Sequence, residues 1–208
     1  ELFVRFCHGQ LDTLPWSDTP LQPESALIQA RLAEINSRGF LTINSQPSCN
    51  GAASTDKMHG WGPPNGFVYK KAYLEFFVSP SVMKDLLARL DTEPTVTYHA
   101  VNKAGELLTN CAEDSANAVT WGVFPSKEIL QPTIVERVSF LAWKDEAFDF
   151  WNAWARVYDR ASPAAALLRA FSDEWYLVNV VENNFQKDSA SIFELFDGLG
   201  QPLPEKAQ

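Results

Sequence analysis

Residues 39–47 read Gly-Phe-Leu-Thr-Ile-Asn-Ser-Gln-Pro, an apolar strand pattern that carries hydroxyl and amide side chains and is bounded by glycine and proline. Two later stretches share this character, Gly60-Trp61-Gly62-Pro63-Pro64 and residues 117–125, Asn-Ala-Val-Thr-Trp-Gly-Val-Phe-Pro. An unpaired hydroxyl on a buried face costs roughly 1–3 kcal/mol, so core strands usually exclude it. Each threonine alone is explained as a half-exposed strand residue. The three stretches together indicate a pocket for a polar ligand.

Composition places the chain among globular proteins and excludes several classes of partner. The 208 residues are 46% hydrophobic and 21% charged, and the formal net charge is −9, which argues against nucleic acid or an anionic membrane as partner. The three cysteines, Cys7, Cys49 and Cys111, are odd in number and widely spaced, which favours reduced thiols in the cytoplasm. No apolar run approaches the ~20 residues of a membrane helix.

Helix and strand patterns are interleaved along the chain. They predict a mixed α and β fold (α+β or α/β), with central β-sheets flanked by helices and without the regular alternation of a TIM barrel. Strands are predicted over residues 2–7, 40–45, 67–78, 95–102, 106–110, 117–124 and 176–181. Helices are predicted over residues 23–38, 80–90, 144–159, 163–174 and 190–198, the first with Leu27, Ile28, Leu32 and Ile35 as its apolar stripe. Residues 46–66, rich in Pro, Gly, Ser and Asn, are predicted to be a long loop.

The residue types give little support to catalysis or metal binding. His8, His59 and His99 are far apart and no Cys or His pair has ligand spacing, so we expect no metal site. A thiol hydrolase built on Cys111 and His99 would rest on residue identity alone. Glu24 lies in the first turn of a predicted helix, where the helix dipole favours a carboxylate without any ligand.

Seven longer stretches carry a resemblance that covers nearly the whole chain and fades after about residue 197. They are Leu14-Pro15-Trp16, residues 41–47 (LTINSQP), 60–63 (GWGP), 71–77 (KAYLEFF), 117–122 (NAVTWG), 131–133 (QPT) and 143–148 (WKDEAF). In these stretches the chain resembles the C-terminal regulatory domain of eukaryotic methylenetetrahydrofolate reductase.

The resemblance implies a regulatory domain over residues 1–198, followed by a loose tail over 199–208. It implies that S-adenosylmethionine inhibits, and S-adenosylhomocysteine releases, a separate catalytic barrel joined through an N-terminal linker. That barrel would contain FAD and reduce 5,10-methylenetetrahydrofolate to 5-methyltetrahydrofolate with NADPH. We therefore expect this chain to begin after the linker, to be no enzyme itself, to need no cofactor and to form a homodimer.

The resemblance also implies the ligand site. Its positions correspond here to Glu24, Ser25, Thr42, Ser45, Thr120 and Thr133. An S-adenosylmethionine site needs an anion for the amino group, donors for the carboxylate, and hydroxyl or amide groups for the ribose and adenine, and these residues supply such groups. Ser25 stands where relatives often have threonine, which keeps the hydroxyl and loses the methyl. The alternatives are a stand-alone S-adenosylmethionine-dependent enzyme and a purely dimerising domain with a vestigial pocket.

Overall fold

The computed structural model describes residues 1–13, 20–21, 23–59, 64–102, 106–110, 121–124, 175–184 and 190–200. The helices, numbered within this part of the chain, are α1 (Leu2–Cys7), a 3₁₀ helix (Pro23–Leu27), α2 (Gln29–Ser37), α3 (Pro80–Leu90) and α4 (Ala190–Glu194). The strands are β1 (Leu41–Gln46), β2 (Cys49–Ala53), β3 (Phe67–Lys70), β4 (Tyr73–Val78), β5 (Val96–Val101), β6 (Leu107–Thr109), β7 (Trp121–Phe124) and β8 (Tyr176–Glu182). The predicted mixed α and β class is confirmed, and the described strands form no closed barrel.

The described strands form two antiparallel sheets. The larger has five strands in the order β1-β4-β8-β5-β6, and the smaller has three in the order β2-β3-β7. The prediction of one strand over 67–78 is wrong, because the chain leaves the smaller sheet after Lys70 and enters the larger one at Tyr73. Ala72 lies at this crossing, fully buried, and its carbonyl accepts a hydrogen bond from the Glu182 amide at 2.9 Å.

The core lies between one face of the larger sheet and helices α2, α3 and α4. Three phenylalanines meet at its centre, edge to face: Phe40 before β1, Phe76 on β4 and Phe196 after α4, with ring centroids 5.3–5.5 Å apart. Such pairs add about 0.5–1.5 kcal/mol to the effect of burial alone. Leu199 also belongs to this core. The triad therefore fixes the start of β1 against the middle of the sheet.

The first element of the chain, Leu2–Cys7, is a helix, so the prediction of a strand over 2–7 is wrong. Its buried residues are Phe3, Phe6 and Cys7, which are three and four positions apart and share one face of a helix, whereas strand alternation would have separated Phe3 from Phe6. The apolar face packs against α2. Tertiary burial at helical spacing thus prevails over the strand propensity of the aromatic residues.

The predicted loop at 46–66 contains strand β2. The prediction is wrong there because Gly51 lets the strand continue through a β-bulge, with Asn50 opposite Tyr69 and Ala52 opposite Val68. Gly51 has φ +73°, and an added Cβ would lie 2.9 Å from the Tyr69 hydroxyl. The glycine that reads as a loop signal is therefore the residue that allows the strand.

The helix predicted to begin at residue 23 is confirmed, but its first turn is a 3₁₀ helix. The tighter turn changes the phase of the side chains. As a result Leu27 is 58% exposed, while Ile28, Leu32 and Ile35 are buried as predicted.

The other predicted elements divide between confirmed and undescribed. The strands at 40–45, 95–102, 106–110 and 176–181, the helix at 80–90 and the start of the last helix are confirmed. The strand predicted over 117–124 is confirmed over Trp121–Phe124. Its first four residues, and the helices predicted at 144–159 and 163–174, lie outside the described residues. No helix within the described ranges is long and apolar enough to cross a membrane.

Candidate functional site

The 3₁₀ helix and β1 bring four of the six expected site residues into neighbouring elements. The 3₁₀ helix carries Glu24 and Ser25 and packs against both α2 and β1, the strand that carries Thr42 and Ser45. Ser25 is 4% exposed, and its carbonyl accepts a hydrogen bond from the Ile28 amide at 3.0 Å, which continues the turn into α2. Thr120 and Thr133 lie outside the described residues.

A β-bulge in β1 places Thr42 and Ser45 on the same face of the larger sheet. Two residues three apart on a regular strand point to opposite faces. In β1 the register shifts between Thr42 and Asn44, so that Thr42 lies opposite Phe76 and Ser45 opposite Leu74. Both partners belong to the helix-side core, and residues paired across an antiparallel ladder share a face. The bulge therefore turns both hydroxyl-bearing residues towards the helix side.

Thr42 is held in place by Asn36, a residue that the sequence did not single out. The Asn36 amide donates to the Thr42 hydroxyl oxygen at 2.7 Å and to the Leu32 carbonyl at 2.8 Å, while its own oxygen accepts from the Thr42 backbone amide at 3.2 Å. All three residues are buried. The Thr42 hydroxyl accepts in this arrangement, so its proton is left to donate to another acceptor.

Glu24 forms an ion pair with Lys70, a second residue that sequence reasoning missed. The Lys70 ammonium donates to the Glu24 carboxylate, and the side chains are 12% and 21% exposed. Lys70 ends β3 and pairs with Cys49 on one side and Trp121 on the other. The pair links the 3₁₀ helix to the smaller sheet, 46 residues away in sequence. Nothing in the sequence around a lysine at the end of a strand predicts a partner so far away.

The cysteine beside this pair is a structural thiol. Burial is the largest influence on the pKa of Cys49 and raises it; Lys70 opposes the rise and Glu24 adds to it. The thiol donates to the Val68 carbonyl at 3.4 Å. Cys7 is likewise free and buried, and burial raises its pKa to about 11. Neither thiol has the lowered pKa of a nucleophile.

The opposite face of the larger sheet carries a row of polar residues, one from each strand. We call it the polar row; its members, in register from β1 to β6, are Asn44, Glu75, Asn179, His99 and Thr109. Glu75 is 3% exposed, and burial raises its pKa to about 8 although Asn44 and Asn179 both hydrogen-bond to it. Burial lowers the pKa of His99. The row is therefore largely uncharged at neutral pH.

The titratable residues of the polar row and the hydroxyl groups of β1 lie on opposite faces of the larger sheet. Within the described residues, no group of three His, Cys, Asp or Glu side chains lies close enough together to hold a metal ion. Glu75 and His99 lie on the face of the larger sheet away from Thr42 and Ser45, so they do not face these two hydroxyl groups. The four expected site residues that the structure describes lie on the 3₁₀ helix, Glu24 and Ser25, and on the helix side of β1, Thr42 and Ser45.

Comparison with known proteins identifies the family. The family described as the SAM-binding regulatory domain of MTHFR, methylenetetrahydrofolate reductase, matches residues 7–200. This chain belongs to that family. Among its relatives, methylenetetrahydrofolate reductase 1 of Schizosaccharomyces pombe is 47% identical over 96% of the chain and 33% of the relative. Methylenetetrahydrofolate reductase (NADH) 1 of Arabidopsis thaliana is 48% identical over 94% and 33%. The probable methylenetetrahydrofolate reductase (NADPH) of Caenorhabditis elegans is 45% identical over 94% and 30%.

The methylenetetrahydrofolate reductase regulatory domain thus accounts for nearly the whole chain, which spans about a third of the length of these relatives. The match confirms the resemblance seen in the sequence. S-adenosylmethionine is accordingly the ligand class that the family description assigns to this domain. The expected site residues Glu24, Ser25, Thr42 and Ser45 all fall inside the matched range.

Proposed function

We propose that this chain is the allosteric domain of a methylenetetrahydrofolate reductase and binds S-adenosylmethionine and S-adenosylhomocysteine at one site. The site comprises Glu24, Ser25, Thr42 and Ser45, together with Thr120 and Thr133. The observations that support it are the packing of the 3₁₀ helix, which carries Glu24 and Ser25, against β1, and the bulge in β1 that turns Thr42 and Ser45 to one face of the sheet. Without the bulge, one of the two hydroxyl groups would lie on the other face.

Each residue of the site has a distinct chemical task in this proposal. Glu24 accepts hydrogen bonds from the ligand's ammonium group, a charge-assisted contact stronger than a neutral one. Thr42 donates a hydrogen bond to the ligand, because its hydroxyl group accepts from Asn36 and its proton is not used in that contact. Ser25, Ser45, Thr120 and Thr133 supply hydroxyl groups for the ribose, the adenine and the carboxylate. None of these tasks is catalytic, and the proposal assigns the chain a binding role.

The regulated reaction belongs to the rest of the protein. S-adenosylmethionine inhibits, and S-adenosylhomocysteine relieves, a separate FAD-containing barrel that reduces methylenetetrahydrofolate in the cytoplasm with a nicotinamide donor. The two ligands differ by a methyl group and a positive charge on sulfur. A switch requires each ligand to bind two conformations with different affinity, because equal affinity for both would shift nothing.

We further propose that the domain forms a homodimer with a two-fold, self-complementary contact, the commonest symmetry of soluble oligomers. Sedimentation velocity at micromolar concentration tests this part separately. A purely monomeric species would remove the dimer from the proposal and leave the ligand site untouched.

Three substitutions test the site. Thr120→Val and Thr133→Val keep the volume nearly constant and remove a hydroxyl group, so each should weaken S-adenosylhomocysteine binding by about 1–2 kcal/mol. Glu24→Gln should weaken it through loss of the charge-assisted contact. Isothermal titration calorimetry on the folded variants measures the changes. Thr92→Val, at an exposed position two residues after α3, is the matched control, and wild-type affinity in all three site variants would refute the assignment.

A further inference from the structure

The pairing of Glu24 with Lys70 has consequences for which ligands the site accepts. Glu24 lies on the 3₁₀ helix, next to Ser25, and Lys70 lies at the end of β3. Both side chains are mostly buried, and they form an ion pair. A partly buried charge that loses its partner is costly, often by several kcal/mol. A ligand cation that replaces Lys70 as the partner of Glu24 must therefore be accompanied by an anion that pairs with Lys70.

The amino-acid end of the proposed ligand offers such an exchange. It carries an ammonium group and a carboxylate on the same carbon, so it brings one cation and one anion. A site with Glu24 alone would attract the ammonium group and repel the carboxylate beside it. A site with both Glu24 and Lys70 is complementary to the two charges, and all four charged groups remain paired after binding.

We propose that Lys70 recognises the ligand's carboxylate, and that the Glu24–Lys70 ion pair is exchanged for two ion pairs with the ligand. This inference rests on the proposed function and assigns a specificity residue to the same site. Lys70 then determines the class of ligand, an α-amino acid rather than a simple amine. It does not distinguish S-adenosylmethionine from S-adenosylhomocysteine, because the two share this end.

The location of Lys70 supports the assignment. It stands at the end of β3, where the chain crosses from the smaller sheet to the larger one, and it pairs with Trp121, the residue that follows Thr120 in sequence. Burial is the main cause of the raised pKa of Cys49 on β2 and of Tyr73 on β4, which flank the crossing, and the nearby Glu24 carboxylate adds a smaller rise to both. The charged pair is therefore at the junction of the two sheets and the 3₁₀ helix, beside elements that carry the proposed site.

The test compares two ligands on two lysine variants by isothermal titration calorimetry. The ligands are S-adenosylhomocysteine and its decarboxylated analogue, in which hydrogen replaces the carboxylate. Lys70→Met should weaken S-adenosylhomocysteine binding by roughly ten- to a hundredfold, because the ligand's carboxylate loses its partner. It should strengthen binding of the analogue, because the analogue's amine then pairs with Glu24 without leaving a buried lysine unpaired. Lys84→Met removes the same charge from the exposed side of α3 and should change neither affinity.

Two further variants keep the test decisive. Lys70→Gln retains a polar side chain and replaces Lys70→Met if that variant does not fold, and Lys70→Arg should keep the preference for the carboxylate. Equal weakening of both ligands would mean that Lys70 only supports the fold, and it would overturn the inference while the site stands. Failure of the wild-type chain to bind S-adenosylhomocysteine would overturn the proposed function as well.

Discussion

Glu75→Gln should stabilise the domain by several kcal/mol at pH 8 and leave its stability at pH 4.5 nearly unchanged. Glu75 lies in the polar row, 3% exposed, and burial raises its pKa from an ordinary 4.5 to about 8. Below pH 4.5 the carboxyl group is protonated in both the folded and the unfolded chain. Between pH 4.5 and 8 the unfolded chain releases the proton and the folded chain keeps it, so stability falls as the pH rises.

The size of this effect follows from the shift. One pKa unit corresponds to about 1.4 kcal/mol, so the full difference approaches 5 kcal/mol at alkaline pH as an upper bound. Glutamine has the shape of the protonated acid and no proton to lose, so the variant should lack this part of the pH dependence. Its amide can also donate to the Asn179 side-chain oxygen, which has no hydrogen-bond partner in the described part of the structure.

Urea unfolding at pH 5, 6.5 and 8 measures the difference. Glu194→Gln, at an exposed position of α4, is the matched control and should leave the pH profile of the wild type in place. If the free energies of unfolding of the wild type and of Glu75→Gln changed in parallel with pH, the carboxyl group would be ionised in the folded protein, contrary to the burial that the structure shows.

Phe76→Ala should lower the free energy of unfolding by about 3–5 kcal/mol, the usual cost of removing a buried aromatic ring. Phe76 is fully buried and contacts both Phe40 and Phe196 edge to face. Loss of the ring would leave a cavity and remove two aromatic contacts together. Because Phe40 precedes β1, the variant should also loosen the strand that carries Thr42 and Ser45.

Chemical denaturation measures this loss, and Phe76→Leu is its control. Leucine fills most of the space and cannot form the edge-to-face contacts, so its loss of stability should be clearly smaller. A Phe76→Ala loss below about 1 kcal/mol would contradict the description of the triad as the centre of the core, since such a value is typical of a surface substitution.

Local sequence patterns predicted the elements whose burial follows a simple period. Helix α3 has Met83, Leu86 and Leu90 at helical spacing after Ser79-Pro80, and β8 is apolar from Tyr176 to Val181 except for Asn179; both were predicted and confirmed. The predictions failed where tertiary contacts or a bulge determine the secondary structure. Phe3 and Phe6 form a helix because α2 covers them. The strand continues through a bulge at Gly51, whose positive φ and close approach to Tyr69 suit a residue without a side chain.

The site was predictable only where the resemblance supplied it. Glu24 and Thr42 follow from matching positions, but Lys70 does not, since its partner lies 46 residues away and nothing local marks the pairing. The polar row could not be predicted for the same reason. Asn44, Glu75 and Asn179 become neighbours through strand order and register, which the sequence pattern of any one strand does not contain.

The most direct test of the account is a competition between the two ligands on the wild-type chain. Calorimetric titration with S-adenosylhomocysteine should reveal one saturable site per chain, and prior saturation with S-adenosylmethionine should abolish that heat. This result is expected if both occupy the site formed by the 3₁₀ helix and β1. A folded chain that binds neither ligand, or that binds both at once, would contradict the account.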